Sequence, residues 1–226
     1  MNNIRYVDGF LIRNTLDLEF SLIHQYGISI TAIHRKFYIP KDEIWIDNIV
    51  REETDFLVKS EVYFDRPEVK EELAKNEAEG RTFDEKRSVL KKLCLPPPVP
   101  IFEVKREPNE KLDILYVDGS MIRKYFDPEW SFGGHDLVYS YIPKGQIWID
   151  ILIDPKEIKY ILQHELSERN FMDKEGKDYN IAHDYASVEE KESRIKDGVG
   201  SYPLHYDVYM WKNLSEEEII NKYYVR

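Results

Sequence analysis

Two short patterns of hydrophobic and polar residues occur twice along the chain. Residues 6–13 read YVDGFLIR and residues 116–123 read YVDGSMIR, with six identities in eight. Residues 37–47, FYIPKDEIWID, match residues 140–150, SYIPKGQIWID, with eight identities in eleven. Because apolar, β-branched and aromatic residues cluster in both patterns, between turn residues, each is predicted to form a strand. The repetition predicts that the chain is a tandem duplication.

After each IWID the spacing of apolar residues changes from that of a strand to that of a helix. In the second copy, Asp154 as N-cap and Pro155 at the first helical position predict a helix that runs to about Met172. Gly176 is predicted to end this helix, and Asp178 to cap a second one. Each copy is therefore predicted to be a small antiparallel sheet followed by a helical hairpin, which makes the fold class α+β.

The repeats predict four segments. Residues 1–93 are a degenerate first repeat, 94–111 a proline-rich linker, 112–196 a second repeat, and 197–226 an aromatic arm with a C-terminal helix. The linker contains LPPPVP, and such a run is stiff and extended because proline fixes φ and lacks an amide donor. The linker is expected to space the two modules.

Composition and charge exclude several classes of protein. Of the 226 residues, 42% are apolar and 33% charged, as in a folded globular protein. Because 43 acidic residues outnumber 32 basic ones, nucleic acid is not expected as a partner. No apolar stretch reaches the roughly 20 residues that cross a bilayer, so no membrane association is expected. The single cysteine and a start without signal-peptide features predict a cytoplasmic protein.

Reactive side chains concentrate in the two predicted helices of the second copy. At about 100° per residue, Glu165 falls in the middle of the apolar face of the first helix, flanked by His164 and Glu168. A carboxylate on a core-facing stripe must be neutral, paired or bound to a cation, because burying it alone costs several kcal/mol. His183 and Glu190 share one face of the second helix, so they are expected to meet the first set across the hairpin.

Imidazoles and carboxylates in one cavity are the ligand chemistry of zinc or a similar divalent ion. The sequence from His164 to Glu168 resembles the His-Glu-x-x-His helix of zinc peptidases, in which the Glu activates water. Glu168 stands where that pattern has its second histidine. The predicted metal ligands are His164, Glu168 and His183, the predicted general base is Glu165, and Glu190 and Tyr179 are predicted as further ligands or supporting residues.

The whole hairpin is also similar to a poorly characterised group of zincin-like proteins from bacteria, phages and mobile elements. In that group the helical string follows a strand like IPKGQIWID at residues 142–150. The resemblance covers the second copy well and the first copy only through its strands, and it implies a metallopeptidase-like hairpin. The matching residues are His164, Glu165, Leu166, Glu168, Arg169, Phe171, Met172, Gly176, Tyr179, Ala182, His183, Ala186 and Glu190.

The first copy lacks this chemistry. Aligned from IWID, Glu61 and Val62 stand at the positions of His164 and Glu165, and no His-Glu pair is present. If the hairpin needed the cluster only to fold, both copies would be expected to have it. The contrast between the copies therefore favours a functional site in the second copy.

Two functions follow as hypotheses. The first is a metal-dependent, peptidase-like hydrolase that holds a divalent metal, zinc being expected, and acts on a protein or peptide. The alternative is a non-enzymatic interaction or structural protein of a phage or mobile element, whose aromatic arm contacts a partner.

Two other interpretations of the cluster stay open from the residues alone. In a purely structural one, His164 and Glu168 form a helix-surface pair while Glu165 bridges to Arg169 or Arg194. In the other, His135-Asp136 and His183-Asp184 resemble the His-Asp doublet of metal-dependent phosphohydrolases.

Overall fold

The structure is a computed structural model of the chain, and it describes residues 3–18, 20–25, 39–40, 42–58, 71, 103–108 and 112–200. The described residues divide into two compact units, with residues 3–58 and 194–200 in the first and residues 71–193 in the second. The proline run, the aromatic arm and most of the first copy's predicted hairpin lie outside the described residues. The four predicted segments therefore stay a prediction. No helix in the described ranges is both long and apolar enough to cross a membrane.

A three-stranded sheet forms the first unit, with strands β1 (Asn3–Val7), β2 (Ile23–Gln25) and β3 (Glu43–Asp47) in the order β1-β3-β2. β1 is parallel to β3, and β2 is antiparallel to it. Helix α1 (Gly9–Thr15) follows β1, and a 3₁₀ helix (Asn48–Glu53) follows β3. The core of this unit contains Val7, Ile12, Leu16, Phe20, Ile39 and Trp45.

In the second unit, β4 (Glu103–Pro108), β5 (Asp113–Val117), β6 (Gly133–His135) and β7 (Gln146–Asp150) form one sheet in the order β4-β5-β7-β6. β5 is parallel to β7, whereas β4 and β6 are antiparallel to their neighbours. Helix α2 (Gly119–Tyr125) follows β5. The core contains Leu115, Val117, Ile122, Trp130, Val138, Tyr139, Ile142 and Trp148.

The α+β class is confirmed, but the prediction of antiparallel sheets is wrong. In each unit the YVDG pattern leaves its strand at valine and enters a helix. Asp8 is the N-cap of α1 and accepts a hydrogen bond from the Leu11 amide at 2.9 Å. Asp118 does the same for α2, accepting from the Ser120 amide at 3.0 Å. After the helix, β2 or β6 runs back along the sheet, antiparallel to the IWID strand, so the IWID strand pairs in parallel with the first strand.

A buried ion pair lies under the start of α2. Arg123 Nη1 lies 2.9 Å from Asp150 Oδ2, and both side chains are inaccessible to solvent. Gly119 is needed at the first helical position because a Cβ there would lie 1.9 Å from Asp150 Oδ2. The first unit has the same arrangement, in which Gly9, Arg13 and Asp47 take these places with distances of 1.8 and 3.0 Å.

Gly119→Ala is expected to lower the free energy of unfolding by about 3 kcal/mol or more, because the new methyl group must displace a buried, paired carboxylate. Urea unfolding followed by tryptophan fluorescence measures the change. Gly176→Ala is the matched control, since open space surrounds that residue and only its φ of 64° penalises a side chain, by about 1–2 kcal/mol. A loss for Gly119→Ala no larger than the control's would contradict the packing argument.

Helices α3 (Ile158–Glu175) and α4 (Tyr179–Lys196) form a hairpin, and all of it except residues 194–196 belongs to the second unit. Gly176 ends α3 in the left-handed conformation, and the Asp178 carboxylate accepts from the Ile181 amide at 3.1 Å, so both predicted boundaries are confirmed. The predicted start of α3 is about three residues too early. Asp154 caps only a turn before the helix, accepting from the Lys156 amide at 2.9 Å.

Candidate metal centre

Helices α3 and α4 bring the predicted site residues together in the second unit. His164, Glu165 and Glu168 project from α3, and His183 and Glu190 project from α4. All are buried except His183, which is half-buried. The interpretation of His164 and Glu168 as a helix-surface pair is therefore wrong, because both side chains lie inside the unit.

Three atoms form what we call the ligand triangle: His164 Nε2, His183 Nδ1 and Glu168 Oε2. The two histidine nitrogens are 3.1 Å apart, and His183 Nδ1 is 2.9 Å from Glu168 Oε2. The third side, from His164 Nε2 to Glu168 Oε2, measures 3.6 Å. A tetrahedral ion with bonds of about 2.0–2.1 Å separates its ligand atoms by roughly 3.3 Å. The ligand triangle therefore has the size of one face of a zinc coordination tetrahedron.

Glu190 orients the His164 ring from the side opposite the ligand triangle. Its Oε2 lies 2.9 Å from His164 Nδ1. Because an ionised carboxylate only accepts, Nδ1 carries a proton, and once Nε2 has lost its own proton its lone pair faces the ligand triangle. A carboxylate behind a ligating imidazole is the usual support of such ligands in metal sites.

The electrostatics of the ligand triangle favour positive charge. Burial lowers the pKa of His164, but hydrogen bonds to Glu168 and Glu190 outweigh it and hold that pKa well above its usual range. Burial also disfavours the charged form of Glu168 and so raises its pKa. Hydrogen bonds from the surrounding histidines outweigh burial and hold that pKa well below the usual range for a carboxyl. Protons meet the demand for positive charge here, and a divalent cation would meet it equally.

Glu165 differs from its neighbours because its carboxylate has no hydrogen bond or ion pair among the described residues. The side chain is 9% exposed, and it packs so closely on Gly133 of β6 that a Cβ there would lie 2.9 Å from Glu165 Oε1. Burial, with the nearby charge of Glu168, raises the pKa of Glu165 to about 7. The structural interpretation in which Glu165 bridges to Arg169 is wrong, since Arg169 binds Asp136 instead.

The structure adds His135, which sequence reasoning did not place in the site. It lies at the end of β6, is fully buried, and its Nε2 is 3.0 Å from Glu168 Oε1. His135, Glu165 and Glu168 form a second group whose ligand atoms lie within 4.8 Å of one another. The only signal in the sequence was the His135-Asp136 doublet, which has no spacing that ties it to α3.

Asp136, the next residue, anchors this end of β6 to α3. Arg169 Nε lies 2.7 Å from Asp136 Oδ1, and Arg169 Nη2 lies 3.2 Å from Oδ2. The Gly145 amide also donates to Oδ2, at 2.7 Å. Burial opposes ionisation, but these hydrogen bonds hold the pKa of Asp136 below its usual range. Asp136 therefore serves α3 as an ion-pair partner and lies outside the ligand triangle.

Tyr179, predicted as a supporting residue or ligand, lies beside His183. Their ring centroids are 5.6 Å apart, with the planes tilted by 31°. The rings of His183 and His164 meet edge to face, with centroids 4.8 Å apart. Tyr179 and His164 are therefore both ring neighbours of His183.

Comparison with protein families, curated proteins and solved structures finds no match to the chain. The zincin-like resemblance therefore stays a prediction, and the chemistry of the site is argued from its geometry. The contrast with the first copy also stays a sequence argument, because Glu61 and Val62 lie outside the described residues.

Proposed function

We propose that this chain is a metal-dependent hydrolase of the peptidase-like kind that uses one divalent ion, with zinc as the best fit. The observation that carries the proposal is the ligand triangle with the buried Glu165 beside it, whose carboxylate has no hydrogen bond or ion pair within the described part of the chain. Two imidazole nitrogens and one carboxylate oxygen are a typical three-ligand set for catalytic zinc, and they leave a fourth position open.

Each residue of the site has a role in this proposal. A divalent ion held by His164, Glu168 and His183 would act as a Lewis acid. It would lower the pKa of a water molecule at the site towards neutral pH. Glu165 accepts the proton from water as general base. Its carboxylate is buried beside the ligand triangle and has no hydrogen bond or ion pair among the described residues, so it can accept that proton. Glu190 keeps the His164 ring in the ligating orientation.

Access to the site is expected from the α4 side. The His183 side chain is 31% exposed, whereas those of His164 and Glu168 are 10% and 4% exposed. A substrate carbonyl would therefore approach past His183 and the neighbouring Tyr179 ring. A protein or peptide substrate is part of the proposal.

Metal removal tests the proposal. Zinc-loaded protein is expected to hydrolyse members of a mixed-sequence, quenched-fluorescent peptide pool, because the ion and Glu165 together activate water. Dialysis against dipicolinate should lower the rate by roughly a hundredfold or more, and one equivalent of Zn²⁺ should restore it. The Asp184→Ala variant serves as a control and should lose and regain activity as the wild-type protein does. Asp184 is an exposed neighbour of His183 and lies outside the ligand triangle. Hydrolysis that survives metal removal, or zinc-loaded protein that cleaves no peptide, would contradict the proposal.

A further inference from the structure

Both ring nitrogens of His135 have a polar partner. The Leu137 amide donates to His135 Nδ1 at 3.2 Å, and His135 Nε2 lies 3.0 Å from Glu168 Oε1. A backbone amide can only donate, so Nδ1 presents a lone pair and the ring proton of the neutral imidazole sits on Nε2. His135 therefore donates its Nε2 proton to Glu168.

This tautomer decides between two roles for the second group of His135, Glu165 and Glu168. A metal ligand must offer a lone pair, but the lone pair of Nδ1 faces the Leu137 amide and Nε2 carries the proton. The group is thus poorly suited to hold a second ion. What it does provide is a hydrogen bond to the Glu168 oxygen that points away from the ligand triangle.

We propose that His135 is a positioning residue that binds Glu168 Oε1, turns Oε2 towards the ligand triangle and keeps the site to a single metal ion. The inference rests on the proposed function, since it concerns how the same ion is held. Glu168 then uses its two oxygens differently, one for the supporting histidine and one for the ion. Glu165 binds neither the supporting histidine nor the ion in this arrangement, so it remains available as a base.

The fold supports this role because two consecutive residues at the end of β6 each form a side-chain pair with a residue of α3. His135 binds Glu168, and Asp136 binds Arg169 through two hydrogen bonds. The ion pair holds the end of β6 against α3, so the His135 ring has a fixed position when it meets Glu168. Hydrogen-bond partners of metal-ligating groups typically contribute about 10- to 100-fold in metal affinity.

Two substitutions separate positioning from ligation. His135→Phe keeps the ring shape but removes the donor, whereas His135→Gln places an amide N–H donor near Nε2 without a ligating lone pair on that nitrogen. Zn²⁺ affinity and stoichiometry are measured by competition with a chromophoric chelator, and circular dichroism of the metal-free proteins reports folding. We expect one ion in every protein, a Kd raised about 10- to 100-fold in His135→Phe, and a Kd within about threefold of wild type in His135→Gln.

Other outcomes have distinct meanings. Two ions in the wild-type protein and one in both variants would overturn the inference and make His135 a ligand. An unchanged Kd in His135→Phe would also overturn it. If His135→Phe does not fold, a Kd raised tenfold or more in folded His135→Gln overturns the inference, and a Kd within threefold supports it. A wild-type protein that binds no Zn²⁺ refutes the proposed function itself, whereas the preceding results bear on His135 and the number of ions and leave metal-dependent hydrolysis intact.

Discussion

Glu165→Gln is expected to lower the kcat of peptide hydrolysis by about 10²- to 10⁴-fold while one zinc ion stays bound. The amide has the shape of the carboxylate but cannot accept a proton from water. Zinc affinity should change little, because the carboxylate of Glu165 lies outside the ligand triangle. Steady-state kinetics with a peptide that the wild-type protein cleaves, alongside a zinc titration, measure both effects.

The same substitution should leave the metal-free protein at least as stable as wild type. Glu165 is buried, and no described residue donates a hydrogen bond to it, so the neutral amide is expected to raise the free energy of unfolding by about 1 kcal/mol or more. Residues kept for activity often lower stability in this way. Glu168→Gln is the contrasting control and should lose zinc. Loss of zinc in Glu165→Gln would make Glu165 a ligand, and full activity would exclude it as the base.

His183→Ala is expected to weaken zinc binding by roughly a hundredfold or more. About 10–16 kcal/mol of binding free energy is typical of protein zinc sites, and removing one of a few ligands forfeits about 3 kcal/mol of it. His183 is the best ligand to remove because it is half-buried, so the metal-free hairpin should tolerate the change better than loss of the buried His164. The measurement is a zinc competition titration, with circular dichroism as a folding check.

Asp184→Ala provides the matched control for that experiment. Asp184 is exposed on α4 directly after His183, and its removal should leave the zinc affinity unchanged. Equal weakening in both variants would point to a general electrostatic effect of α4. An unchanged affinity in His183→Ala would remove His183 from the ligand set.

The hairpin was largely predictable because its signals are local. Glycine in the left-handed conformation and an aspartate cap define the break at Gly176 and Asp178. The helical period placed Glu165 on the buried face of α3 and set His183 and Glu190 on one face of α4. Five of the six polar residues in the site could therefore be assigned from spacing alone.

The remaining features depend on contacts that are distant in sequence. His135 reaches Glu168 across 33 residues, and only the pairing of β6 with β7 brings it there. The antiparallel pairing predicted for each sheet is wrong because the Asp-Gly pair of YVDG is predicted as a turn between strand residues, whereas Asp118 and Gly119 open a helix. The requirement for Gly119 becomes visible only when the Asp150 carboxylate lies against it.

The tandem duplication remains a prediction, and two structural features that occur in both units support it. Each unit has a strand that ends at an aspartate N-cap and a helix whose arginine binds the last aspartate of IWID. The hairpin that would complete the first repeat lies largely outside the described residues. The sequence alone therefore carries the claim that the first copy has lost the metal chemistry.

Anomalous diffraction at the zinc edge, from crystals of the zinc-loaded protein, tests the central claim most directly. We expect one anomalous peak per chain at about 2.0–2.2 Å from His164 Nε2, His183 Nδ1 and Glu168 Oε2. The Glu165 carboxylate should lie next to the peak without binding it. A map with no peak at the ligand triangle, or with zinc bound only elsewhere on the chain, would contradict the account.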